Sequence, residues 1–298
     1  MDVRDLECLA VLGEELHFRR AAQRLDVAQP ALSKRIRKIE AELGVELFAR
    51  GGHSVTPTDA GVTLVAHARE VLARWRAMTA AAADLRSGAL GVVRIGAVGS
   101  AFYEALPTLL APVRERMPGL VLQVEEMETP ALVNALRFGE VQLGFVRPPV
   151  SHGLEVRTVW VEDLVLAVAA DHPLAGRSSV GVRELRDASV ILFRRDAGSG
   201  YWDRVAALFA AADVEFRPLE TAEHVSTILG SVALGAGVSV VPSSARRLAI
   251  PGVAYVSIDE PSPLPLAVAS SPAVMTPAAR LVLGAMQPGN SGGPVEPG

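Results

Sequence analysis

Apolar residues at helical spacing occur in two sets between residues 18 and 43, and only a tight turn separates them. Phe18, Ala21, Ala22 and Leu25 make one short helical face. After Asp26-Val27-Ala28 a longer helix starts at Gln29-Pro30, with proline suited to a first-turn position. It carries the stripe Leu32, Ile36, Ile39 and Leu43 and stops at Gly44. A preceding stripe of Leu6, Leu9, Ala10 and Leu12, with Gly13 near its end, supplies a first helix. Two short helices joined in this way make a helix-turn-helix, which predicts a small helical head at residues 1–61.

Charge gives that head a partner class. From residue 19 to 38 stand seven basic residues, Arg19, Arg20, Arg24, Lys34, Arg35, Arg37 and Lys38, against Asp26 alone, a net +6. The whole chain carries −4, so the rest carries −10. On charge alone this is equally a solvated helix face, but on the third helix Ala31, Ser33, Lys34, Arg35 and Lys38 lie off the apolar stripe. Hydroxyl and cationic tips so placed can reach base edges or phosphates in a major groove. With Arg19 in the basic stretch, Gln29 and Pro30 at the helix start, and Arg50 beyond it, they form the candidate contact set for double-stranded DNA. Leu47-Phe48-Ala49-Arg50, Gly51-Gly52 and Ser54-Val55-Thr56-Pro57 read as a short hairpin, a wing. Cys8, the lone cysteine, cannot form an intramolecular disulfide and reads as a buried, inert thiol. The N-terminus has no signal-peptide pattern, and the uncharged stretches 225–245 and 261–279 are broken by Gly, Pro, Ser and Thr. A cytoplasmic chain without a membrane partner is expected.

Phe18-x-x-Ala21-Ala22-x-x-Leu25-x-Val27-x-Gln29-Pro30-Ala31-Leu32-Ser33-x-x-Ile36-x-x-Ile39-Glu40-x-x-Leu43-Gly44-x-x-Leu47-Phe48-x-Arg50, followed by Thr58-x-Ala60-Gly61, resembles the winged-helix signature of LysR-type transcriptional regulators. The match runs without a gap. The wing tip, commonly basic in that family, reads Gly52-His53-Ser54 here.

Beyond the wing, Leu64, Ala68, Val71, Trp75, Met78, Ala82 and Leu85 recur at alternating steps of four and three. This is a heptad seam that predicts pairing with another helix, the alternative being a helix laid on its own core. The resemblance implies a linker and dimerisation helix at 62–88, a homodimer holding two heads to two half-sites, and commonly a tetramer of two dimers. From 89 to 287 the pattern changes. Strands at 92–98, 120–125 and 141–146 alternate with helices at 104–116 and 130–138, which predicts βαβ units and parallel pairing. A second set follows, with strands at 164–169, 190–193 and 238–241 and helices at 201–212 and 225–234. A strand at 264–269 and a helix at 277–286 are expected to return to the first lobe. The fold class is thus mixed: an α-dominated winged head, a long linker helix, and an α/β domain whose two lobes resemble the periplasmic-binding-protein-like effector domain of the same family. The Gly/Pro-rich end, 288–298, reads as a disordered tail.

Ligands of open α/β sheets sit beyond strand carboxyl ends, near helix N-termini. Ser100, Thr129 and Arg147 follow the first three strands of the domain, offering two hydroxyls and a guanidinium to a carboxylate. Taken singly, the hydroxyls read equally as helix caps and Arg147 as a structural ion pair. Gly99-Ser100-Ala101, Glu128 and Gly144-Phe145-Val146-Arg147-Pro148-Pro149 resemble the branch of the family that senses muconate and related aromatic-pathway acids. That resemblance implies that Ser100, Thr129 and Arg147 hold carboxylates while Tyr201 and Val225 close over the ligand. No nucleophile elbow, phosphate loop or dinucleotide fingerprint is present, and His17, His53, His67, His152, His172 and His224 show no metal-ligand spacing. Neither an enzyme, a metal nor a cofactor is expected, and Gly198-Ser199-Gly200 reads as a flexible loop. A solute-binding protein of transport would account for the last two-thirds alone, and an enzyme with an accessory DNA-binding domain has no catalytic constellation to point to.

Overall fold

The computed structural model describes residues 1–51, 54–87, 91–150, 153–222, 224–286 and 289–290. Its contacts divide the chain into two units, 1–83 with 137–140, and 84–136 with 141–298.

In the first unit, α1 (Val3–Glu15) opens on a reciprocal cap between Asp2 and Asp5 and ends at Leu16 in the left-handed region, φ 46°. His17 caps α2 (Phe18–Arg24) by accepting from the Arg19 and Arg20 amides, and α3 (Gln29–Leu43) carries proline in its first turn and left-handed Gly44 at its end. Leu9, Leu12, Ala21, Leu32, Ile36 and Ile39 are buried together with Leu47 and Phe48. Each such aliphatic side chain contributes about 1.5–3 kcal/mol by leaving water. Strands β1 (Phe48–Gly51) and β2 (Ser54–Pro57) pair antiparallel as the wing. Gly52 and His53, the expected wing tip, lie outside the described residues.

Helix α4 (Asp59–Ser87) starts inside the stretch assigned from sequence to the head. Val65 and Ala68 belong to the head's core, with Ala60 and Leu64 packed against it, so the first two positions of the heptad seam serve the intramolecular alternative. The next three, Val71, Trp75 and Met78, are 51, 45 and 55% exposed, while Ala82 is exposed too. Leu85's side chain is outside the described set. Gly61 has no room for a side chain, because an added Cβ would lie 2.0 Å from the Leu47 carbonyl oxygen. Gly61→Ala is therefore expected to destabilise the head by about 1–3 kcal/mol, measured as a lower denaturant midpoint with unchanged slope.

The second unit has two lobes with separate cores. In the first, β3 (Val92–Ala97) pairs in parallel with β4 (Val121–Glu126) and β5 (Leu143–Val146), flanked by α5 (Ala105–Arg116) and α6 (Thr129–Phe138). Strand β6 (Glu155–Ala169) is 15 residues long, more than twice the span legible in sequence. The second lobe adds β7 (Ser179–Val180), β8 (Val190–Phe193), α7 (Ser199–Ala211), β9 (Pro218–Ala222), α8 (Val225–Ala233), β10 (Ser239–Pro242) and β11 (Val253–Ile258). Strand β12 (Pro263–Ser270) and α9 (Pro277–Ala285) pack in the first lobe, β12 running antiparallel to both β5 and the first part of β6. Parallel pairing, expected throughout, holds for β3, β4 and β5, for β8 with β9 and for β7 with β11, whereas β10, β11 and β12 pair antiparallel to β6. The segment 198–200 is not a loop but the cap and first turn of α7. Gly200 is required there because a Cβ would meet the Arg147 and Pro148 carbonyl oxygens at 2.3 and 2.5 Å. Residues 291–298 of the expected tail lie outside the described residues, while 289–290 form a short strand against β6.

Candidate functional site

The head presents α3 with Gln29, Pro30, Ala31, Lys34 and Lys38 exposed and Ser33 and Arg35 half-buried. Arg19 is exposed on α2. Arg50 stands on β1, its side chain outside the described set. The basic stretch is less bare than its count implies. Arg24 bonds Glu14 and Glu15, Arg20 pairs with Glu15, Arg35 with Asp5 and Lys38 with Glu42. Arg37 donates to the Ser33 carbonyl and hydroxyl. Among the described residues Arg19 and Lys34 take no ion pair, and they are the cations most available to phosphates.

Between the two lobes of the second unit lies a cavity of about 180 Å³. An apolar cavity of roughly 150 Å³ holds benzene, so this one suits a single ring or a chain of similar bulk. Ser100, Thr129, Arg147, Tyr201 and Val225, chosen from sequence, all line it. Tyr103, Phe193, Ala197 and His224 also line it and were not identified; the signal for Phe193 and His224 was their place at a strand end and a helix start.

Ser100 lies in a single 3-10 turn, 99–103, and Thr129 is the first residue of α6. Neither hydroxyl caps its helix. The Ser100 hydroxyl accepts from Arg147 Nη2 at 3.2 Å, and the Thr129 hydroxyl has no hydrogen bond among the described residues. Arg147 is only 4% exposed, and its fork is already occupied: Nη2 pairs with Glu162 Oε1 at 2.5 Å and Nη1 donates to the Leu264 carbonyl at 3.0 Å. Glu162 is buried too, its other oxygen accepting from the Ser244 amide and the Ser243 hydroxyl. Burial pulls the Arg147 guanidinium below its usual range, while the neighbouring Glu162 opposes the shift. The fork expected for a ligand carboxylate is thus divided between Glu162 and Ser100 on Nη2 and the Leu264 carbonyl on Nη1, and Arg147 Nε remains buried without a partner among the described residues. Tyr201 donates to the Val240 carbonyl, so its ring rather than its hydroxyl is free to meet a ligand, stacked on Phe193 at 4.9 Å. Burial, with Glu126 adding to it, pushes the Tyr103 phenol up to about 12, so it is a neutral donor at the cavity wall. Across the cleft His224 Nδ1 stands 3.4 Å from Glu126 Oε1. No group of three or more metal-ligating residues occurs among the described residues, and no described helix is long and apolar enough to cross a membrane.

A winged helix-turn-helix head joined through a long helix to a two-lobed cleft domain defines a ligand-responsive DNA-binding protein. The model for the bacterial regulatory helix-turn-helix protein of the lysR family matches residues 3–62, and that for the LysR substrate binding domain matches 86–289. The chain belongs to the LysR family of transcriptional regulators. It is 34% identical over 284 residues to the regulator TtuA of Agrobacterium vitis, covering 93% of each chain, and 31% identical over 264 residues to BenM of Acinetobacter baylyi, covering 88% of this chain and 86% of that one. The crystal structure of CbnR, a LysR family transcriptional regulator, superposes with a TM-score of 0.67 at 25% identity, over 96% of this chain and 98% of that one. Full-length CbnR complexed with its target DNA gives 0.66 at 26% identity, over 96% and 99%.

Proposed function

We propose that this regulator reads an operator through α3, assembles as a homo-oligomer through α4, and answers to a small organic acid of the aromatic-pathway type held in the interlobe cavity. The head would comprise 1–61, the linker 62–88 and the effector domain 89–287. The observation that carries the ligand reading is the set of unspent donors: buried Arg147 Nε, the Ser100 hydroxyl proton and the Thr129 hydroxyl, at an apolar-walled cavity of one-ring size. A carboxylate accepting from all three leaves the Arg147–Glu162 pair intact, and Val225 and the ring of Tyr201 supply the apolar contact. CbnR, which has a solved complex with target DNA, supports the head's role by likeness. A thermal-shift panel of benzoate, cis,cis-muconate and their uncharged amides tests the effector class. Acids that raise the melting temperature while the amides do not are the expected result, and a response to the amides alone overturns it.

For the head, Lys34→Ala is expected to weaken binding to a selected operator duplex by about 1–3 kcal/mol if Lys34 meets a base, or to flatten the salt dependence by about one charge if it meets a phosphate. Ser33→Ala should weaken binding with the melting temperature unchanged. Parent-like binding by both variants, in titrations at several salt concentrations, would remove α3 as the reader.

A further inference from the structure

Asp5 lies on α1, yet its carboxylate is turned toward α3. It is 1% exposed, an unusual place for a charge, and its two oxygens do different things. Oδ2 accepts from the Asp2 amide at 2.9 Å, half of the helix cap. Oδ1 stands 3.3 Å from Arg35 Nε. Arg35 is 37% exposed at its side chain and borders a surface groove between α1 and α3 together with Arg4, Cys8, Lys34 and Lys38. The buried Cys8 lines the same groove. The guanidinium is therefore held at its Nε by a buried carboxylate, while the side chain borders the groove.

We infer that Asp5 is a positioning residue for DNA reading, acting through Arg35. This rests on the proposal that α3 reads the operator, and the effect comes from pre-organisation and from charge. A free arginine side chain samples many rotamers, and holding it in one lowers the cost of a bidentate bond to a base edge. At the same time the Asp5 carboxylate offsets the Arg35 charge, so Arg35 adds little to the sequence-blind attraction that phosphates exert on every cation. Asp5 thereby directs Arg35 toward discrimination between sequences rather than toward general affinity. The other paired cations of the stretch, Arg20, Arg24 and Lys38, meet carboxylates that are more exposed than Asp5.

This assigns opposite signs to two measurable quantities. In Asp5→Asn the carboxylate charge is gone while an amide of the same shape remains. Affinity of the full-length protein for a shuffled duplex should stay level or rise, and its salt dependence should steepen. Affinity for a duplex enriched from a random pool by the parent protein should fall, so that the ratio of the two drops about tenfold, within what one bidentate base contact discriminates. Asp2→Ala is the control: it removes the cap acceptor facing the Asp5 amide and leaves the Asp5–Arg35 pair, so it should lower stability without changing the ratio. Arg35→Ala should lower the ratio by itself, and adding Asp5→Asn to it should lower the ratio no further. If Arg35→Ala binds the enriched duplex like the parent, the reading of the operator by Arg35 fails and the inference falls with it. If Arg35→Ala is impaired but Asp5→Asn keeps the parent ratio, or lowers it equally when Arg35 is absent, the operator reading stands and the positioning role of Asp5 is overturned.

Discussion

Arg147→Met should lower the stability of the effector domain by about 3–5 kcal/mol, because it leaves Glu162 ionised and buried without its countercharge. The methionine preserves much of the stem's packing, so the loss reports the charge. The Ser244 amide and Ser243 hydroxyl still reach the other Glu162 oxygen and hold the cost toward the lower end. Replacing both partners, as in Arg147→Met with Glu162→Leu, should recover most of that loss, since a buried pair and an apolar pair of similar volume differ little in net free energy. Denaturant unfolding of the single and double variants checks this. The recovered double variant then isolates the sensing role: it should bind operator like the parent and no longer answer to an organic acid. A full response in that variant would place the acid away from Arg147.

The second large effect concerns assembly. Val71→Glu or Trp75→Glu adds a charge where the chain by itself is half exposed, so the monomer's stability should barely change. In a paired helix the same charge would be buried without a partner, a cost of several kcal/mol that the roughly two heptads from Val71 onward cannot absorb. Sedimentation should show dissociation to monomers, with operator affinity falling as the second half-site contact is lost. Ala68→Glu discriminates the two environments of one seam: at a buried position of the head it should unfold the winged helix itself. An assembly unaltered in both the Val71 and the Trp75 variants would contradict pairing through α4.

What could be read from the residues follows from how local the signal was. Turn glycines, a helix-start proline and aliphatic stripes lie within a few positions of one another, so α1, α2 and α3 were legible almost to their ends. The first half of β6 was not. Its run Glu155-Val156-Arg157-Thr158 and the later Glu162-Asp163 look like surface chain, and Glu162 is tolerated inside only because Arg147, fifteen residues earlier, neutralises it. Strand β11 carried an apolar signal after Pro251-Gly252, in Val253-Ala254-Tyr255-Val256, that a strand reading could have used. At the cleft, sequence position identified which side chains line the cavity but not which of their atoms are spent. That Arg147 turns its fork to Glu162 and Tyr201 its hydroxyl to Val240 depends on β6 and β10, partners remote in sequence. The basic stretch was misjudged in the same manner, since Glu14, Glu15 and Asp5 come from the preceding helix.

Strand β6 is continuous through both lobes: 155–163 pair with β12 in the first and 164–169 with β10 and β11 in the second. The two lobes consequently share one hydrogen-bonded strand and are not joined by loops alone. A one-residue slip of β6 would therefore turn side chains from core to surface in both lobes at once. The register shift between Leu266 and Ala267, opposite Trp160 and Thr158, is a bulge that bends the ladder at this point. Glu162 faces Leu264 in that ladder, so the carboxylate that meets Arg147 is placed by the shared strand itself. The Arg147–Glu162 pair is thus anchored on the strand that both lobes share.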